Sequence, residues 1–235
     1  GANSYNLVGI QAVNGAQIYG ESINIDLNTN HYAVSGAQEW HNFCEQGIRL
    51  EGSTAQILES TIKGGAGVVL RTDSSFTMNG GAIDSIYYAV TGNNLTGKGN
   101  ATLLGVTLTS EKTAAIYIPM QGEIVIGAGS VVQGPVAIEA KMGYFTITDT
   151  TLISTADAKE GLKYAEATGG NSEPDGSVIM LNTEAYNGDF CGGDNSFVVK
   201  LGEGVVLQSE AGKLISVYKW NKLEQTRSFD FGGYA

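Results

Sequence analysis

Apolar and small side chains alternate with polar ones in short segments of this chain, and the segments return about every 21–25 residues. Such alternation predicts β-strands, and its return at a long fixed spacing predicts a repeat architecture. Five segments have an apolar or small residue at relative positions 0, +2 and +7: Ala55, Ile57 and Ile62; Phe76, Met78 and Ile83; Ala101, Leu103 and Leu108; Ile124, Ile126 and Val131; Phe145, Ile147 and Leu152. The spacing also occurs at Ala16, Ile18 and Ile23, and it restarts at Phe197 and Val199.

Each repeat contains a second short segment with one aliphatic residue at its centre. The central residues are predicted to stack inward as a ladder: Ile48, Val68, Val90, Ile116 and Ile138. The next residues then point outward: Arg49, Val69, Thr91, Tyr117 and Glu139. The residue before each central position is always small: Gly47, Gly67, Ala89, Ala115 and Ala137. Two explanations remain for these small residues, namely crowding at a corner or a flat track that seats a ligand or a partner chain.

Two short strands in each long repeat predict that equivalent strands of successive repeats stack on one another, rather than that neighbouring strands pair as hairpins. Stacking equivalent strands in parallel gives every strand a partner and forms one continuous core. We therefore predict an all-β fold, a single-stranded right-handed parallel β-helix (solenoid) with about 9–10 rungs, as one domain over residues 1–235. A β-sandwich is the alternative, although it does not require matched columns. The repeat breaks at residues 28–46 and 155–177, which we interpret as lateral loops, and residues 220–235 are predicted to cap the core.

Composition and charge narrow the classes of partner. The net charge is −11, from 13 Lys and Arg against 24 Asp and Glu, and the basic residues form no cluster. Nucleic acid is therefore a poor candidate partner, and the acidity is most simply a solubility device. No apolar stretch reaches the length of a membrane span. Cys44 and Cys191 are expected to be unpaired, because six rungs at about 4.8 Å each would separate them beyond disulfide reach.

Candidate chemistry collects in the first break of the repeat. It contains His31, Trp40, His41 and Cys44, whose side chains could in principle bind a metal, although their spacing matches no ligand pattern and a packed side loop is favoured. A glycosidase would need paired carboxylates, and Asp73, Asp84 and Asp149 form no such pair in the sequence. Calcium could use the loop carboxylates Asp175, Asp189 and Asp194, for which ordinary turn roles are favoured. We predict no catalytic residues, no metal site and no cofactor.

Aromatic side chains are the better recognition device, since an exposed ring can stack on the C–H face of a sugar. The predicted ligand-binding residues are Trp40, His41, Tyr87, Tyr88 and Tyr117. Tyr218 and Trp220 lie near the end of the chain. The alternative for any one of these rings is a role in covering the core.

The chain resembles the pectin-lyase-like superfamily of right-handed β-helices, and more narrowly the repeat domains of surface proteins from gut bacteria and their phages. The segments that carry this resemblance are Phe76–Ile83, Ala115–Pro119, Gly122–Gly127 and Ala137–Ala140. The enzymes of that superfamily use Asp-Asp, Gly-His-Gly, Arg-Ile-Lys or clustered calcium-binding aspartates, which this sequence lacks. The resemblance therefore implies a binding or structural use of the scaffold.

Three functions follow as hypotheses. The leading one is a non-catalytic extracellular β-helix that binds a glycan or a host surface, as an adhesin or carbohydrate-binding protein does. The second is a polysaccharide lyase or glycoside hydrolase with an unrecognised site. The third is a structural stalk or phage fibre module, for which a homo-trimer through the small-residue track is a candidate. The start Gly1-Ala2-Asn3 is compatible with removal of a signal peptide, so we expect an extracellular or cell-surface location.

Overall fold

The computed structural model describes residues 7–27, 45–92, 97–156, 176–182, 197–218 and 227–230. Every named strand pair in these ranges is parallel, and the strands form one continuous sheet. The prediction of an all-β parallel β-helix is therefore confirmed. The β-sandwich is wrong, because a sandwich is built from antiparallel strands.

The sheet winds through three faces, which are numbered here in the order in which strand β5 passes through them. Two long strands each run through all three faces: β5 (Thr54–Arg71) and β6 (Ser74–Gly92). Face 1 also contains β2 (Gln17–Glu21), β7 (Gly99–Leu104), β10 (Glu123–Gly127), β13 (Gly143–Ile147), β16 (Phe197–Leu201) and β19 (Arg227–Asp230). Face 2 also contains β3 (Asn24–Asp26), β8 (Thr107–Ser110), β11 (Ser130–Gly134), β14 (Thr150–Ser154) and β17 (Val206–Ser209). Face 3 also contains β1 (Leu7–Val13), β4 (Glu45–Glu51), β9 (Ala114–Ile118), β12 (Val136–Ala140), β15 (Ser177–Asn182) and β18 (Lys213–Tyr218).

The strands of one face stack in register, one per rung. On face 3 the described strands stack in the order β1, β4, β5, β6, β9, β12, β15 and β18. The described residues therefore form eight rungs on this face, compared with the 9–10 rungs predicted for the whole chain. The predicted aliphatic ladder is confirmed: Ile48, Val68, Val90, Ile116 and Ile138 are all fully buried. Aliphatic and aromatic side chains from the other two faces complete the same core. One continuous core is what holds a solenoid together, since no single rung can bury its own apolar side.

The corner between faces 1 and 2 is a column of left-handed backbone. Glu59, Gly80, Gly105, Ala128 and Asp149 have φ values of 43°, 69°, 62°, 56° and 43°. Glycine adopts this conformation without strain, whereas other residues rarely do. A Cβ at Gly80 would also lie 2.2 Å from Oε1 of Glu59, so the exposed Glu59 side chain would have to move to make room for it.

The structure corrects the repeat pattern at three places. At β11 the buried residue is Val132, whereas Val131 faces outward in register with Thr107, because the Ala128–Gly129 turn inserts one extra residue. Near the N-terminus the inward column continues through Ile18, Gly20 and Ile25, since these residues pair with Ala55, Ile57 and Ile62. Near the C-terminus it continues through Val199, Leu201 and Leu207, which pair with Phe145, Ile147 and Leu152.

The small-residue column is not an external track. A Cβ on Gly47 would lie 2.3 Å from Cγ2 of Ile62, and one on Gly67 would lie 2.1 Å from Cγ2 of Ile83. Ala89 and Ala115 belong to the main core. The column therefore lies at an inner corner where side chains from face 2 arrive, and crowding explains its small residues.

Three long connections adjoin strands of face 3 in the chain order. Residues 28–44 precede β4, residues 157–175 precede β15, and residues 183–196 follow β15. The predicted lateral loops fall mainly on ranges outside the described residues, although Glu45 and Gln46 belong to β4. In the predicted cap, β19 pairs with β16 and so continues the stack on face 1.

Candidate functional site

The outer side of face 3 differs from the outer sides of the other two faces. On faces 1 and 2, outward side chains such as Gln56, Lys63 and Thr146 are exposed. On face 3, outward Val69 and Thr91 are fully buried, and Glu139, Met180 and Asn182 farther along the axis are at most 5% exposed. Gln11 and Val13, at the N-terminal end of the same face, are exposed. Face 3 therefore carries a second packed layer, and the candidate site lies in it.

An aromatic cluster occupies the middle of this layer. The rings of Tyr88 and Tyr117 stack with their centroids 5.4 Å apart and their planes at 30°. They group with Tyr87 and with small and aliphatic neighbours in a cluster separate from the main core. Tyr88 is 5% exposed, whereas Tyr87 and Tyr117 are partly exposed. The Nζ atom of Lys112 lies 5.7 Å from the centroid of the Tyr87 ring, which places an ammonium group at the edge of the cluster.

Buried polar groups lie next to the rings along the solenoid axis. Glu139 is the register partner of Tyr117 on the adjacent strand, and its Oε1 accepts a hydrogen bond from Nδ2 of Asn182 at 2.5 Å. Glu139, Lys141 and Asn182 are 5%, 1% and 1% exposed. Burying a carboxylate and an ammonium costs free energy unless they are paired and hydrogen-bonded. A group of this kind next to aromatic rings is therefore a stronger functional signal than either feature alone.

A charged cluster lies farther down the same face. The Oε2 atom of Glu51 is 3.1 Å from Nη2 of Arg49 and 3.7 Å from Nη1 of Arg71. Burial lowers the pKa of Arg71, and the neighbouring Arg49 lowers it further, while Glu51 acts in the opposite direction. The Glu51 carboxylate is thus the ion-pair partner of two guanidinium groups.

The sequence-predicted site residues divide into two groups. Tyr87, Tyr88 and Tyr117 meet in one cluster on face 3. Trp40 and His41 lie outside the described residues, as do His31, Cys44 and Cys191, so their predicted roles stay predictions.

Asp73 and Asp84 make hydrogen bonds between adjacent rungs, whereas Asp175, Asp189 and Asp194 lie outside the described residues. Oδ1 of Asp73 accepts a hydrogen bond from the backbone N–H of Lys98, and Oδ1 of Asp84 accepts one from Oγ1 of Thr109. Asp149 occupies a left-handed turn position. Within the described ranges no group of three or more His, Cys, Asp or Glu side chains could hold a metal ion.

Sequence reasoning did not single out Glu139, Lys141 and Asn182 as site residues. Glu139 on β12 was a readable signal, because it places a charged side chain on the outer side of a strand within an apolar stack, and Lys141 directly follows the end of that strand. Asn182 has no local signal, since its role depends on the parallel register of β15 with β12.

No protein-family model, curated protein or solved structure matches this chain. In the described part of the chain, no helix is long and apolar enough to span a membrane.

Proposed function

We propose that this chain is a non-catalytic β-helical protein that binds a glycan on the outer side of face 3. The observation that carries the proposal is the tyrosine stack, Tyr88 on Tyr117, with the Glu139–Asn182 hydrogen bond beside it. Aromatic rings supply flat apolar faces for sugar rings, and adjacent carboxylate and amide groups supply acceptors and donors for hydroxyls. Protein sites for small ligands commonly combine these two features.

The arrangement also explains why Tyr117 is the central residue. Tyr88 is almost fully buried and supports the Tyr117 ring from one side. Tyr117 keeps part of its surface exposed and lies in register with Glu139. A ring held on one side by packing loses little conformational entropy when a ligand stacks on its other side.

The test is a screen of the purified chain on an array of plant and animal oligosaccharides, followed by titration calorimetry with any oligosaccharide that binds. Tyr117→Ala is expected to weaken binding about 10-fold or more, which is about 1.4 kcal/mol, because truncation of a central aromatic side chain removes most of its contact with a ligand. Tyr144→Ala is the matched control, since Tyr144 is 48% exposed on the outer side of face 1. Array binding by no oligosaccharide, or equal affinity for both variants and the parent chain, would contradict the proposal.

The proposal also includes the family of the chain and its location in or on the cell. The rung pattern, with its small corner residues, supports a relationship to the pectin-lyase-like β-helices and an adhesin-like role at the cell surface or on a phage particle. A host glycan or polysaccharide is then the natural partner. Detection of the protein on intact source cells or particles by a specific antibody tests the location.

A polysaccharide-cleaving enzyme is the second candidate, and one observation favours it. Glu139 on β12 and Lys141 directly after that strand are both nearly fully buried, and buried charged side chains are common in active sites. The test is incubation with acidic and neutral polysaccharides, with reducing ends and unsaturated uronides measured. Product release that is lost in Glu139→Gln would replace the binding proposal with this one.

A further inference from the structure

The charged cluster on face 3 has an unusual geometry. Glu51 on β4 is the register partner of Arg71 at the end of β5, and Arg49 lies two residues before Glu51 on the same side of β4. A single oxygen, Oε2 of Glu51, faces both guanidinium groups at 3.1 and 3.7 Å. The side chains of Arg49, Arg71 and Glu51 are 18%, 27% and 43% exposed, so water screens them only in part.

The cluster is short of negative charge. Two guanidinium groups against one carboxylate leave a local excess of one positive charge in a chain whose net charge is −11. The 3.7 Å contact of Arg71 is too long for a hydrogen bond, so it is an ion pair only. Within the described part of the chain, the Nε atom of Arg49 is buried and has no hydrogen-bond acceptor. A buried donor left without an acceptor costs free energy.

We propose that Arg49 and Arg71 form an oxyanion-binding site, which takes a carboxylate or sulfate group. Guanidinium groups present planar pairs of N–H donors that match the oxygen spacing of these groups. A bound oxyanion supplies the missing negative charge and adds acceptors for the Arg71 guanidinium. Glu51 partly occupies the site and acts as an internal competitor for the incoming anion. The site stands apart from the tyrosine cluster and does not depend on glycan binding there.

Titration calorimetry of the whole chain with sodium sulfate and with sodium glucuronate, at ionic strength held constant with chloride, tests the site. Saturable binding is expected, and Arg71→Gln should weaken it about 10-fold or more, since a charge-assisted hydrogen bond is lost. Lys63→Gln is the matched control, because it removes one positive charge from an exposed position on face 2. Should Arg71→Gln fail to fold, Arg71→Lys keeps the charge without the planar donors and is expected to bind more weakly than the parent chain.

Glu51→Gln separates an anion site from a plain ion-pair network. Removing the internal competitor should strengthen sulfate and glucuronate binding several-fold, whereas a purely structural network would lose stability without gaining affinity. Equal binding by Arg71→Gln and Lys63→Gln, or no gain in Glu51→Gln, would overturn the proposal. Tyr117→Ala should leave sulfate binding unchanged, so failure of this site and failure of the glycan proposal give different results. Binding of glucuronate but not sulfate would assign the site to carboxylates, and the reverse would assign it to sulfates.

Discussion

Face 1 and face 3 are both stacks of parallel strands, yet the side chains on their outer sides differ in exposure. On face 1 the outward residues include Thr102, Thr146 and Lys200, which remain partly or fully exposed. On face 3 the outward residues Val69 and Thr91 are fully buried. A regular scaffold therefore supplies one solvated side and one packed side, and the aromatic and charged groups gather on the packed side. The difference shows that strand pairing alone does not decide which outer side of a solenoid is packed.

Two valines at outward positions give the most severe test of this comparison. Val69→Asp on face 3 should destabilise the chain by about 3–5 kcal/mol, because it leaves an unpaired charge in a fully buried place. Val125→Asp on face 1 should cost about 1 kcal/mol or less, since Val125 is partly exposed. Urea unfolding followed by circular dichroism measures both. Similar losses in the two variants would mean that the outer sides of the faces are equivalent.

A substitution at the inner corner of face 3 should give the next largest loss of stability. Gly67→Ala should cost about 3 kcal/mol, at the upper end for overpacking, because the new Cβ would lie 2.1 Å from Cγ2 of Ile83. Ala82→Val, which adds bulk at an outward and partly exposed position on face 2, should change stability by about 0.5 kcal/mol or less. Thermal unfolding of the two variants checks this pair. A tolerated Gly67→Ala would restore the external-track explanation for the small residues.

Removing one outward carboxylate from face 3 and one from face 1 compares how much each contributes to the free energy of unfolding. Glu139→Ala should cost about 2 kcal/mol, since the buried amide of Asn182 loses its acceptor at 2.5 Å. Glu123→Ala on face 1 should stay within about 0.5 kcal/mol, because Glu123 is exposed. Denaturant unfolding at pH 7 measures both free energies. A neutral Glu139→Ala would show that the hydrogen bond adds nothing to the packed layer.

The Lys112–Tyr87 contact at the edge of the tyrosine cluster should make the smallest contribution to stability. The contact of Lys112 with the Tyr87 ring is at an exposed position and should contribute about 0.5 kcal/mol. A double-mutant cycle with Lys112→Gln and Tyr87→Leu isolates this interaction from other effects of the single changes. A coupling energy well above 1 kcal/mol would place Lys112 inside the packed layer rather than at its edge.

The fold could be predicted from the sequence because its signal is periodic. Ile48, Val68 and Val90 recur at rung spacing with polar residues between them, and stacked parallel strands satisfy that pattern. The prediction was wrong by one place at Val131, because a single extra turn residue reverses which side chains face inward. The side chains that meet in the candidate site were predicted only in part. Tyr88 and Tyr117 were identified, but nothing local to Asn182 indicates that its amide lies against Glu139.

The sequence by itself determined the rung repeat, the inward ladder and the outward direction of Tyr117 and Glu139, because side-chain direction alternates strictly along a strand. Tertiary structure alone decided that outward residues in the middle of face 3, such as Val69 and Thr91, are buried while those of face 1 are solvated. Alternation states only which side of a strand a residue occupies. Whether that side meets water depends on what lies against it, and contacts between residues far apart in the chain set this.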